Sequence, residues 1–112
     1  MEDKITYGEF EKVDIRVGKI IQVEDFKEAK KPSYKLKIDF GKKIGIKNSA
    51  AQITNYKKEE LVGREVMAVV NFHPKQIANF MSEVLTLGVS DKDGKVILLR
   101  PDKDVGLGVR MF

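Results

Sequence analysis

The sequence predicts an all-β domain: a five-stranded barrel with a short helix between its third and fourth strands. Three observations predict it. Several segments alternate apolar and polar residues with a period of two, and turn residues separate them. The first of these segments breaks phase beside a glycine, the mark of a strand that bulges or bends sharply. One central stretch lacks the alternation and ends on a glycine, as a short helix does.

The elements follow in order. In "TYGEFEKV", Thr6 and Glu9 stand at capping-box spacing, so a short helix starts here. In "VDIRVGKIIQVE", Val13, Ile15 and Val17 alternate with Asp14, Arg16 and Gly18 and form the inward set. The alternation slips at Lys19 and Ile20, and Ile21 and Val23 resume it. "SYKLKIDF" alternates cleanly, with Tyr34, Leu36, Ile38 and Phe40 on one face. "GKK" turns the chain, and "IGIKNS" pairs back with Ile44 and Ile46 inward. Ala50, Ala51, Ile53, Leu61 and Val62 supply the inner face of a short or broken helix, and Gly63 stops it. "EVMAVVNF" is apolar nearly throughout, as a strand covered on both faces requires. A loop is expected from His73 to about Phe80, then a strand over "SEVLTLGV", a turn at "SDKDGK" and a last strand in "VILLR". A bent first strand and a helix between strands three and four describe an OB-fold barrel with N- and C-terminal extensions. We read it as a single domain over residues 1–112.

Composition excludes several classes of function. No apolar run approaches the roughly 20 residues that span a bilayer, so no membrane insertion is expected. The opening "MEDKITYGEF" lacks the apolar centre of a signal peptide, and there are no cysteines. These features favour a cytoplasmic protein. His73 is the only histidine and has no nucleophile or orienting partner at a useful spacing. No second histidine or acidic neighbour completes a metal site around it. "GLGVR" and "GKKIG" lack the spacing of a phosphate-binding loop. No catalytic residue, metal or cofactor is therefore expected. His73 reads as a loop residue with a packing or binding role.

Charge points to binding instead. The net charge is only +4, but residues 27–47 hold eight lysines against Glu28 and Asp39, a local +6. OB-folds bind along strands two and three and through the loops that join strands one to two and four to five. The basic segment covers the first loop and both strands, and "NFHPKQIANFMSEVLTLG" covers the other loop. Lys31, Lys35 and Lys37, then Lys47, Asn48 and Ser49, are the expected RNA contacts on one side. Lys75, Gln76, Asn79 and Ser82 add polar reach from the opposite loop. Phe72 reads as packing at the barrel mouth; Phe80 reads either as packing or as a platform for a base. The chain has only four arginines, so any RNA contact is expected to be with backbone and shape rather than with base edges.

"DIRVGKI", "LKIDFG", "EELVGREV" and "VVNFHPKQI" resemble the tRNA-binding OB domain family. That module stands alone in small proteins and is also appended to methionyl- and phenylalanyl-tRNA synthetases. "IDFGKKIGIKNSAAQIT", "VVNFHPKQIANFMSEVLTLG" and "LLRPDKDV" are similar to its CsaA-type members. General members carry Ser-Gln-Gly-Met where this chain has Ser82-Glu83-Val84-Leu85, and a Val-Ser-Gly turn near Lys47-Asn48-Ser49-Ala50. The CsaA-type version implies an export-related chaperone that binds unfolded or precursor polypeptides as a homodimer. It implies the secretion machinery as a further partner; the alternative reading is a tRNA- or RNA-binding module that acts in trans on the same surface by backbone and shape recognition. For that role the residues offer His73, Ile77, Phe80 and Met81 as a peptide-binding surface. The apolar tail from Val105 to Phe112 is expected to dock on a second subunit.

Overall fold

The computed structural model describes residues 3–112. Its core starts from the cleanest alternation in the chain. In β2 (Tyr34–Asp39), and in Phe40 just beyond it, the side chains of Tyr34, Leu36, Ile38 and Phe40 are all buried, at 0–7% exposure. Burying side chains of this size contributes about 1.5–3 kcal/mol each. Ile20, Ile53, Leu61, Val66, Ala68, Val84 and Leu98 complete the cluster around them.

Five strands form a nearly closed barrel. β1 (Ile15–Asp25) pairs antiparallel with β2 through its second half and with β4 (Glu65–Val69) through its first. β3 (Ile46–Ala51) pairs with β2, and β7 (Leu85–Thr86) pairs with β4. The sheet order is therefore β3-β2-β1-β4-β7. Two hairpins stand beside it: β5 (Lys75–Ile77) with β6 (Phe80–Ser82), and β8 (Gly88–Ser90) with β9 (Val96–Leu98). The short α1 (Tyr7–Glu11) carries the expected capping box: Thr6 Oγ1 accepts from the Glu9 amide, and Glu9 accepts from the Thr6 amide. α2 (Lys58–Leu61) lies between β3 and β4, and Gly63 follows it at φ +90°.

The structure corrects the sequence reading in several places. A Cβ on Gly18 would lie 2.5 Å from Ile38 Cγ2 and 2.7 Å from Phe40 Cε1, so Gly18 faces the interior. Ile15 and Val17 then lie on the other face, because neighbouring strand residues alternate, and Val17 is buried there at 3% exposure. The register shift falls between Ile20 and Gln22. Ile20 is a core residue, and Ile21 is the exposed extra residue of the bulge. After it, Val23 packs against the core. Ile46 is exposed, on the outer face opposite Asp39. Ala50 and Ala51 belong to β3 rather than to a helix, and Val62 is exposed. The expected loop from His73 to Phe80 contains a hairpin, turned at Ala78 with φ +52°. "SEVLTLGV" is not one strand: Ser82 ends β6, and the rest is split between β7 and β8.

The C-terminal tail does not float free. It runs beside the first half of β1: Val17 N donates to Val109 O at 3.0 Å, Gly108 N to Val17 O at 2.8 Å and Met111 N to Ile15 O at 2.8 Å. Asp14 anchors it by accepting from Arg16 at 2.7 Å while Arg110 lies at 3.5 Å.

Candidate binding groove

The site is built where the barrel closes. Phe40 N donates to Gly45 O, which fixes the phase of the β2–β3 ladder. In that phase Asn48 and Ala50 turn their backbone groups away from β2, toward the seam. No regular ladder meets them there. Glu83 N and Val84 N both donate to Asn48 O, at 2.8 and 3.3 Å. Asn48 N donates to Glu83 Oε1 at 2.9 Å, and Ala50 N to Ser82 Oγ at 3.1 Å. Ser49 Oγ lies 3.0 Å from Val84 O, to which it donates, and 2.9 Å from Thr86 Oγ1. The seam is thus held largely by side chains, and Ser82-Glu83-Val84 is its clasp.

Beyond Ala50 the seam opens. A groove of about 900 Å³ lies there, between the loop after β1, the end of β3, β5 and the β7–β8 segment. Ile53, Val96 and Leu98 lie along it as buried or half-buried apolar residues. Ile77 and Leu85 add apolar walls, while Lys30, Lys31 and Lys75 are exposed along its margin. Among the described residues, the single aromatic lining it is Phe26, which is only 3% exposed.

Of the residues expected to bind, Lys31, Lys75, Gln76 and Ile77 line this groove together. Lys35, Lys37 and Asn48 lie on the outer face of β2–β3, and each already has a partner. Lys35 Nζ sits 3.8 Å from Glu24 and over the rings of Phe26 and Phe80, at 5.6 and 5.9 Å. Lys37 donates to Asn48 Oδ1 at 3.3 Å, and Lys47 lies 3.9 Å from Glu83. Ser49 is fully buried, and its hydroxyl is used within the seam, so it offers nothing to a ligand. Ser82 is half-buried and serves the clasp. His73, Asn79 and Met81 are exposed.

Phe72 departs from the packing expected at the barrel mouth, and Phe80 takes the packing alternative. Phe80 packs edge-on to Phe26 at 5.5 Å and joins the hairpin to the loop after β1; Phe72 is 56% exposed. Residues that the sequence reading passed over include Lys30 and Phe26. Lys30 was part of the charge count. Phe26 carried a signal too, as a lone aromatic in the polar loop "DFKEAKKP". Among the described residues no cluster of three His, Asp or Glu side chains is placed to hold a metal.

The family model described as a putative tRNA binding domain matches residues 15–110. The CsaA chaperone protein of Picrophilus torridus is 61% identical with a TM-score of 0.92, over 97% of this chain and all of that one. Chaperone CsaA of Bacillus anthracis is 42% identical with a TM-score of 0.91, over 98% of this chain and all of that one. The methionine–tRNA ligase of Pyrococcus furiosus is 39% identical over 108 residues, 96% of this chain but 14% of the ligase. The chain therefore spans about one seventh of that ligase. Matched from residue 15 to residue 110, and sharing its barrel nearly end to end with two CsaA proteins, the chain belongs to the tRNA-binding domain family.

Proposed function

We propose that this chain is a non-catalytic chaperone that holds unfolded or precursor polypeptides in its groove, with tRNA as a second ligand of the same basic margin. One observation carries the reading: the groove has an apolar floor and lysines at its rim, yet among the described residues no exposed aromatic ring faces it. Apolar walls suit polypeptide side chains, whereas single-stranded nucleic acid is usually held by stacking its bases on exposed rings. The likeness to two CsaA chaperones supports the same choice.

A specific observation also favours tRNA. Lys27, Lys30, Lys31 and Lys75 are exposed, and none has a carboxylate within salt-bridge distance among the described residues. Such a cluster attracts phosphate by counterion release. The two ligands share a margin and compete for it.

The active particle is a homodimer in this reading. The tail's backbone docks on its own β1, but Val105, Val109, Met111 and Phe112 keep 36–102% of their surface exposed. Ile5, Tyr7 and Val13 are likewise exposed. A second copy covers this surface, and two grooves on one particle hold a long chain by avidity. Handover to the secretion machinery in the cytoplasm is the role that the CsaA resemblance implies. Among the described residues, no helix is long and apolar enough to cross a membrane.

The test is binding of tRNA and of a permanently unfolded polypeptide at low and high salt. RNA affinity is expected to fall steeply with salt while polypeptide binding holds. Tight tRNA binding with no polypeptide binding at any salt overturns the chaperone reading. Sedimentation at low concentration tests the dimer, and a stable monomer with an intact tail rejects it.

A further inference from the structure

Two strand edges face the groove with unused backbone groups. On the β3 side, the phase that turns Asn48 and Ala50 to the seam also turns Gln52 there. The clasp consumes both groups of Asn48 and the amide of Ala50. Both backbone groups of Gln52 have no backbone partner among the described residues. On the opposite side, Leu99 N donates to Leu87 O and Asp91 N to Lys95 O. That phase commits Val89 to β9 and turns Gly88 and Ser90 outward. Gly88, Val89 and Ser90 are all exposed. Ala50, Gln52, Gly88 and Ser90 all line the same groove.

Resting on the polypeptide-holding reading, we propose that a client segment enters the open seam as an extended β-strand and pairs its backbone with these edges. An extended chain presents N–H and C=O groups to both sides and side chains alternately up and down. In the seam, one set of side chains lies over Ile53, Val96 and Leu98. The other set points out toward Lys30, Lys31 and Lys75. The occupant is therefore a polypeptide segment apolar at alternate positions and acidic between them or at its ends. Main-chain pairing supplies affinity that does not depend on a particular sequence, as a holder of varied clients requires. RNA lacks the alternating N–H and C=O groups that a strand pairs along both edges.

The test uses the full chain and a short fluorescent peptide that alternates apolar and acidic residues. Two further peptides carry the same sequence with N-methyl groups on one or the other alternate set of backbone amides. The unmodified peptide is expected to bind, and at least one methylated form to bind about tenfold more weakly, the loss of about one net hydrogen bond. With the unmodified peptide, the amides of Gln52, Gly88 and Ser90 are expected to gain protection from hydrogen exchange. Equal binding by all three peptides overturns strand pairing but leaves polypeptide holding intact. Failure of the short peptide alongside binding of a long unfolded polypeptide likewise overturns strand pairing alone. If neither binds, the holding reading itself falls, and strand pairing with it. Protection of these three amides by tRNA but not by peptide assigns the groove to RNA and rejects the proposal.

Discussion

Replacing Ser49 with alanine separates a ligand contact from a structural clasp. The hydroxyl is fully buried, donates to Val84 O at 3.0 Å and lies 2.9 Å from Thr86 Oγ1. Each net hydrogen bond is worth about 0.5–1.5 kcal/mol. Val84 O keeps only a long contact from Ser82 Oγ, at 3.5 Å. The expected loss for Ser49→Ala is therefore about 1–3 kcal/mol of stability. With a urea slope of about 1.5 kcal/mol/M, a loss of about 2 kcal/mol lowers the unfolding midpoint by about 1.3 M. The chain has no tryptophan, so circular dichroism is the natural probe. Affinity for tRNA, measured where the variant is fully folded, is expected to stay unchanged. An unchanged midpoint combined with about tenfold weaker tRNA binding, near 1.4 kcal/mol, refutes the reasoning.

Other substitutions test other parts of the site. Gly18→Ala places a methyl within 2.8 Å of Ile38 and Phe40, both essentially buried, and is expected to cost about 1–3 kcal/mol in urea unfolding. Lys30→Glu, Lys31→Glu and Lys75→Glu together are expected to flatten the salt dependence of tRNA binding by about two to three units of log–log slope, with unfolding unchanged. Lys35→Ala is expected to loosen the β5–β6 hairpin, read as faster proteolysis there, because its ammonium lies over both Phe26 and Phe80. Asp14→Ala removes the carboxylate beside Arg16 and Arg110, and the amides of Gly108 and Met111 are expected to exchange faster with solvent.

The parts of the fold that were legible in the sequence are those written by local patterning. β2 keeps one phase throughout, so its buried face was readable, as was the capping box at Thr6 and Glu9. The site was readable as a neighbourhood: the basic segment and the loop after β4 do converge, through Lys31, Lys75, Gln76 and Ile77. The misread residues answer to distant partners. Ser49 looked like a surface donor because Val84 and Thr86, which bury it, lie 35 and 37 positions away. Gly18 faces inward because Ile38 and Phe40 leave room for nothing larger, a fact that no window around Gly18 contains. The β5–β6 hairpin was hidden by its turn. Ala78 holds a positive φ that the usual signals, glycine or asparagine, would have announced.

The tail along β1 has a consequence for solubility. Unpaired strand edges are how β-proteins polymerise. The first half of β1 has no β2 partner on one side, and the backbone of Gly108, Val109 and Met111 occupies that side. The last few residues of the chain thus act as a plug against runaway self-assembly. Cutting them away would expose this edge of β1 to pairing with a second chain.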